Sequence, residues 1–373
     1  MNNIERVILY PFDIQSSPIL RHKQLLKDYD IVGVVSPEGW GLSGEDAGKA
    51  DYGSKLYIDV ESDFSKSLRS CDSVFFVDSF YGLDFEKEIY PKMLECIEAK
   101  KNILALMDIQ QEFQDKLEQL CRNNNVYYKN LLLEERIIYT VGKEDNIIKI
   151  DIPVIFVVGL AERLNKFELQ LALREKLIKL GYSVSQIGSR KFCELMGFHS
   201  FPEFMHSTYI SEVEKIVLFN LFVKQIELRE KPDVIIIGIP GGTMMFNNEY
   251  TNKFGIFAYE ISQAITPDLV VFSTLYEDFT PDYFKKISHS SKYRFGFEID
   301  CFNLANTIFD MQKLGSLEKD LYLKLSSSFI DEKVNFYRNQ GIQVYNALND
   351  NDLKMLVNYI VEKLSEYGEI DII

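Results

Sequence analysis

Short apolar runs that read as β-strands alternate with amphipathic helical stretches from one end of this chain to the other, and that alternation restricts the fold more than any other feature. It is the pattern of βαβ units, in which parallel strands are joined by crossover helices. In the N-terminal part, strands are expected at "RVILYPF", "DIVGVVSP", "SVFFVDSF" and "NILALM", with helices near Ile19–Lys27, Phe85–Ala99 and Gln111–Asn123. Two apolar runs around "GKEDN" suggest a hairpin that closes a first domain near Ile150. The pattern then restarts with "VIFVVG", a helix over Lys166–Leu180, "YSVSQIG", and a helix opened by Ser211 and Glu214 in capping-box spacing. Strands at "DVIIIGIP", "DLVVFSTL", "YRFGFEID" and "IQVYN" follow. A last helix, Asp350–Glu366, places Leu353, Leu356, Val357, Ile360, Val361 and Leu364 on one face. The expected architecture is α/β: two Rossmann-like three-layer domains with mostly parallel sheets, residues 1–150 and 151–373, the second of them P-loop-like.

A length of 373 residues suits about two hydrophobic cores, and 46% hydrophobic residues with a mean hydropathy of -0.09 suit a soluble globular protein. The formal charge of -15 is spread along the chain, which argues against nucleic acid or an anionic membrane as a partner. The start has no basic segment ahead of a long apolar one, and the longest apolar runs are too short to span a bilayer, so a cytoplasmic location is expected. Cys71, Cys96, Cys121, Cys193 and Cys301 are scattered without a C-x-x-C pair and read as reduced core thiols. His22, His199, His206 and His289 are too dispersed for a metal site, and neither a nucleophile elbow nor any catalytic set is assignable.

The stretch most open to chemistry is "PVIFVVGLAERLNKFELQLALREKL". A strand ends at Gly159, five residues follow, and Asn165–Lys166 opens a helix. A phosphate-binding loop is built this way: amide groups at a helix N-terminus face the anion, glycines let the backbone approach, and a lysine adds charge. The spacing resembles the glycine, five residues, glycine-lysine form of the dethiobiotin-synthetase and MinD-like branch of P-loop proteins. That resemblance implies a nucleotide, ATP or GTP with Mg²⁺, at Gly159, Asn165, Lys166, Phe167, Glu168, Gly241 and Gly242, the last two in the switch-like turn of "DVIIIGIPGG". Asn165 stands where glycine is usual and tolerates left-handed backbone angles. Phe167 or Glu168 stands where a hydroxyl would meet the metal, and Gly238 stands where a metal-holding acid belongs. The plainer alternative is a buried strand, a surface loop and a solvated lysine.

Over most of its length, and on "YPFDIQSSPILRHKQLLKDYDIVGVVSPEGWGLSGEDAG", "PVIFVVGLAERLNKFELQLALREKLIKLGYSVSQIGSR" and "PDVIIIGIPGGTMMFNN", the chain resembles the peptide maturation system proteins found with clostridial cysteine-rich ribosomal peptides and their radical maturases. The resemblance implies a role in ribosomal peptide natural-product biosynthesis, with a precursor peptide or a radical maturation enzyme as partner. The pattern of that family reads glycine-lysine-Phe-Thr in the loop, from which Asn165–Lys166–Phe167–Glu168 departs twice.

The leading expectation is an accessory protein that binds peptide or enzyme through a degenerate P-loop scaffold. An active ATP- or GTP-dependent ligase or kinase acting on a peptide stays open, as does a nucleotide- or sugar-binding Rossmann enzyme with its site in the first half. There, Trp40 with Arg21 and His22 suggests a pocket for a peptide or an anion. No G-x-G-x-x-G precedes a helix in that half. Glu298 and Asp300, expected at the end of "YRFGFEID", are further candidates to face a ligand or to cap the next helix.

Overall fold

A computed structural model of the chain describes residues 4–132, 146–245, 251–309 and 322–368. It contains two compact units, Met1–Ile137 with Lys191–Gly197 and Ile138–Arg190 with Phe198–Ile373.

The first unit holds β1 (Glu5–Tyr10), β2 (Tyr29–Val35), β3 (Val60–Glu61), β4 (Ser73–Val77), β5 (Asn102–Leu106) and β6 (Tyr128–Asn130). These form one sheet in the order β3-β2-β1-β4-β5-β6, with every pairing parallel. Its helices are α1 (Ser17–Arg21), α2 (Phe64–Ser67), α3 (Tyr90–Glu98) and α4 (Gln111–Asn123). The strands are apolar throughout because helices cover both faces of such a sheet. Ile8, Val74, Phe76, Ile103 and Ala105 meet Met93, Cys96 and Leu117 in one core. All five cysteines of the chain are buried thiols.

The second unit holds β7 (Val154–Gly159), β8 (Val184–Gly188), β9 (His199–Ser200), β10 (Val234–Gly238), β11 (Leu269–Thr274), β12 (Cys301–Leu304), β13 (Thr307–Phe309), β14 (Tyr322–Lys324) and β15 (Val344–Tyr345). Seven of these form a parallel sheet in the order β15-β12-β11-β7-β10-β8-β9, and β13 and β14 pair antiparallel beside it. The helices are α5 (Lys166–Lys179), α6 (Glu212–Glu230), α7 (Ile256–Ala264), α8 (Pro281–Phe295), α9 (Ser327–Arg338) and α10 (Asp350–Gly368). The molecule is therefore α/β, with two Rossmann-like units built on parallel sheets.

Local chemistry explains the elements. Ser211 and Glu214 close a full capping box on α6. On α10, Leu353, Leu356, Val357 and Ile360 are buried against α5 and the sheet, with Val361 and Leu364 at the rim. Helix α5 is buried on most sides, from Phe167 through Leu177, and so shows little amphipathic contrast.

Two readings of the sequence are corrected. "YRFGFEID" is not a strand: α8 runs through Phe295, and left-handed Gly296 (φ +84°) ends it, its N–H bonded to the Lys292 carbonyl at 3.0 Å. Phe295 and Phe297 stack at 5.5 Å in the core, so that aromatic run reflects packing, and the strand is the next segment, β12. Glu298 and Asp300 consequently precede a strand and neither end one nor cap a helix. Glu298 pairs with Lys292 at 2.7 Å, and Asp300 accepts the Val270 N–H at 2.8 Å. The expected hairpin falls largely on residues 133–145, outside the described residues. Of its second arm, Ile148 exchanges hydrogen bonds with the Asn220 amide of α6, at 2.8 and 2.9 Å.

Candidate functional site

In the second unit, β7 lies mid-sheet between β10 and β11, and the chain leaves it toward β8 on one side and later returns to β11 on the other. That is a topological switch point, and ligands of open α/β sheets bind outside the carboxyl ends of the strands there. The segments at this edge are Leu160–Asn165 after β7 and Ile239–Thr243 after β10.

Lys166, the first residue of α5, folds back across Gly159. A Cβ at position 159 would lie 2.9 Å from Lys166 Cδ and 3.1 Å from the Ser273 carbonyl oxygen, so glycine is what lets the lysine stem pass. The Lys166 ammonium donates a hydrogen bond to the carbonyl of Gly241. It is buried, and that desolvation, reinforced by Lys253 and Arg190 against the opposing pull of Glu162, lowers its pKa to about 8. Arg190 lies over the Phe167 ring at 5.7 Å, and its buried Nε finds no acceptor among the described residues. A desolvated ammonium beside other cations and an orphan N–H donor is an arrangement that an anion completes.

The loop is packed, not solvated: Ala161 and Leu164 are fully buried with Leu160 in the core of this unit. Asn165 is left-handed (φ +55°), a conformation that glycine adopts without cost and asparagine tolerates. Its side chain makes no capping hydrogen bond to α5. Instead its Nδ2 donates to Asn306 Oδ1 at 2.8 Å, and Lys324 donates to its Oδ1 at 2.5 Å, tying the loop to the β13–β14 pair. On the opposite flank, Asn252 donates to the Leu160 carbonyl at 2.6 Å, and Lys253 pairs with Glu162 at 2.7 Å. Both belong to a run of four left-handed residues, Asn252, Lys253, Phe254 and Gly255, three of which carry side chains. Such a run is costly and persists only where its surroundings hold it.

The side chains fit an anion better than they fit a P-loop magnesium. Phe167 is core, with its ring 6.4 Å from that of Phe198, and Glu168 is half-buried on α5. At Gly238, an added Cβ would fall 1.7 Å from Gln170 Nε2, so the place of a metal-holding acid is filled by the Gln170 amide. Among the described residues no group of three His, Cys, Asp or Glu side chains is placed to hold a metal ion. Gly241 is left-handed (φ +76°), and Gly242 leaves room for the Asn252 amide, which a Cβ would meet at 1.9 Å.

The first-unit candidates serve different partners. Arg21 makes a two-pronged ion pair with Asp51 at 2.6 and 2.9 Å and bonds Ser54. His22 is buried at the end of α1, and Trp40 is half-buried against Tyr81 with ring centroids 4.8 Å apart. At the β1–β4 switch point, buried Asp13 uses its carboxylate to accept the N–H of Gln15 and of Phe80.

Behind the Pro240–Gly241–Gly242 turn, Glu260 of α7 is buried, and apart from the carboxyl of Glu212, with which it shares a hydrogen bond, no donor among the described residues reaches its oxygens. Burial first, and then the neighbouring Glu212 carboxyl, raise its pKa to about 8, opposed by Lys215. A folded pKa above the unfolded one gives a contribution present below about pH 4.5 and lost as pH rises to about 8. Glu260→Gln should therefore flatten the fall in stability between pH 5 and pH 8, by on the order of 2 kcal/mol. Urea unfolding of both proteins at those two pH values measures it.

The proximity of Lys166 to Gly159 and to the glycine pair was legible in the sequence. Glu162, Arg190, Asn252, Lys253, Asn306 and Lys324 were not, since they reach the loop only through the fold.

No protein-family model matches the chain, and none of the curated proteins does. Among solved structures, an amine dehydrogenase from Mycobacterium smegmatis shares 20% identity over 34% of this chain and 38% of that one, with a TM-score of 0.27. A nucleotide-binding protein from Archaeoglobus fulgidus, solved with ADP, shares 13% identity over 57% and 88%, with a TM-score of 0.30. Both likenesses are too partial to bear on the site. A DUF1611 family protein from Anabaena variabilis ATCC 29413 matches at a TM-score of 0.63 over 96% of this chain and 99% of that one, at 10% identity. What this chain shares with that protein is the fold, over both of its units.

Proposed function

We propose that the Gly159–Lys166 loop and the Pro240–Gly241–Gly242 turn hold the phosphate group of a ligand, of which ATP and GTP are the first candidates, and that the chain acts by binding, without hydrolysis. The observation that carries this reading is the buried Lys166 ammonium, flanked by Lys253 and by the orphan Nε of Arg190. Two features count against an ATP- or GTP-dependent ligase or kinase: Phe167 sits in the core, and Gln170 fills the space beside Gly238. A site in the first unit is disfavoured because Asp13, a carboxylate, already takes the amides at its switch point. The partner follows from the sequence resemblance alone: a cysteine-rich precursor peptide or its radical maturation enzyme, for which this chain is a binding or assembly factor.

Calorimetric titration with ATP and GTP, in magnesium and in EDTA, tests the phosphate site. Binding that survives EDTA, with no phosphate released, is expected. Magnesium-dependent turnover abolished by Lys166→Ala would establish the rival enzyme, and absence of binding would remove the phosphate site. Co-purification with a precursor peptide encoded beside the gene tests the partner.

A further inference from the structure

The Pro240–Gly241–Gly242 turn also forms one wall of a cavity of about 460 Å³ lined by Met205, Ile210, Ile256 and Phe257, within the size range of small-molecule sites. Its polar lining includes Glu260, Glu212 and Lys215. Glu260 is only 2% exposed, and among the described residues its oxygens meet no hydrogen-bonding group but the carboxyl of Glu212. Buried polar groups are in the great majority satisfied by donors of their own, and a buried carboxyl whose sole partner is another carboxyl is a departure from that. The group beside it is a second acceptor, Glu212, and two carboxyls at such range need a proton or a cation between them. Lys215 is not that cation, because its ammonium sits on Glu212 at 3.2 Å.

We propose that this cavity binds a small organic ammonium ion with an apolar body, its N–H groups donated to Glu260 and Glu212 and its body seated on Met205, Ile210, Ile256 and Phe257. An ammonium offers three donors, enough to serve both carboxyls at once. A metal ion would find two carboxylates and apolar walls, a poor match for hard-cation coordination. His206, whose ring meets Phe257 edge-on at 5.0 Å, adds aromatic surface. The shared proton of the two glutamates competes with the ammonium, so affinity rises as pH climbs toward 8. Lys215 from α6, with His206 and Lys253 at the rim, are the other charged or titratable groups lining the cavity.

The cavity shares Gly241 with the phosphate loop, yet the proposal does not depend on a phosphate binding there. The test is calorimetric titration of the full chain at pH 8 with phenethylamine and benzylamine, against phenethyl alcohol, benzyl alcohol and benzoate. The amines should bind roughly tenfold or more tightly than the matched alcohols, and Glu260→Gln should remove that preference. Because Glu260 is buried, Glu212→Gln is a second variant at a position where folding is not at risk, and it should weaken amine binding several-fold. Lys166→Met should leave amine binding intact, which separates failure of the phosphate site from failure of this one. Equal binding of amine and alcohol, unchanged amine affinity in Glu260→Gln or in Glu212→Gln, or no saturable binding of either amine would each overturn the proposal.

Discussion

Lys166→Met is expected to abolish phosphate binding while making the protein more stable. Methionine keeps the unbranched stem that crosses Gly159 and removes the charge at its end, so packing over the strand is retained. The folded protein holds this lysine at a pKa of about 8 against an ordinary 10.5, so keeping it charged at neutral pH costs folding free energy. Removing the charge should return on the order of 2 kcal/mol, less about 1 kcal/mol for the lost hydrogen bond to Gly241. Phosphate affinity should drop at least about 100-fold, the effect of deleting a desolvated charge partner. The pH dependence has a definite sign. Because the folded pKa is depressed, wild-type stability rises between about pH 8 and pH 10.5, and the methionine variant lacks that rise. On the proposed reading phosphate binds the protonated lysine, so affinity should be level below pH 8 and weaken by up to about tenfold per pH unit above it. Denaturant unfolding and calorimetry between pH 7 and pH 9.5 measure both effects. A variant that is less stable and still binds phosphate would show Lys166 to be a structural residue.

How much of this was legible in the sequence depended on how local the cause is. The parallel sheets were readable because "VIFVVG" and "DVIIIG" are apolar at successive positions, as strands covered on both faces must be. The loop was readable because Gly159 and Lys166 interact across one turn of chain. "YRFGFEID" misled because Phe295 and Phe297 pack the core from a helix end and the loop after it, and apolar runs of that length do not distinguish strand from packed corner. Gln170 was overlooked because a glutamine within a helix reads as solvent-facing, whereas this one is fully buried. The clamp of Asn252 and Lys253 left no local trace, since three successive side-chain-bearing residues in the left-handed region run against intrinsic preference and are imposed by their surroundings.

Gly238 and Gln170 together carry the second large effect. Gly238→Ala should lower stability by about 2–4 kcal/mol, as overpacking of a closed core does. The backbone there is not left-handed, so the cost is steric: a new Cβ falls 1.7 Å from Gln170 Nε2, 2.1 Å from Cδ and 2.3 Å from Oε1, and the whole amide head is in the way. Gln170 has little freedom to move aside, being fully buried with its Oε1 accepting from Gln186 Nε2 at 3.4 Å. Gln170→Ala alone should cost about 1–2 kcal/mol for the space it leaves. The double variant should then be more stable than the sum of the two by at least about 1.5 kcal/mol, since residues in direct contact couple by that amount. Urea unfolding of the four proteins in the cycle gives the coupling. The result bears on chemistry as well as packing. Strong coupling means that no acid fits at position 238 while Gln170 is present, so the loop operates without the carboxylate that P-loop enzymes use to hold magnesium. Independent effects would mean that Gln170 yields easily, and the space for a metal-holding acid would then be open after all.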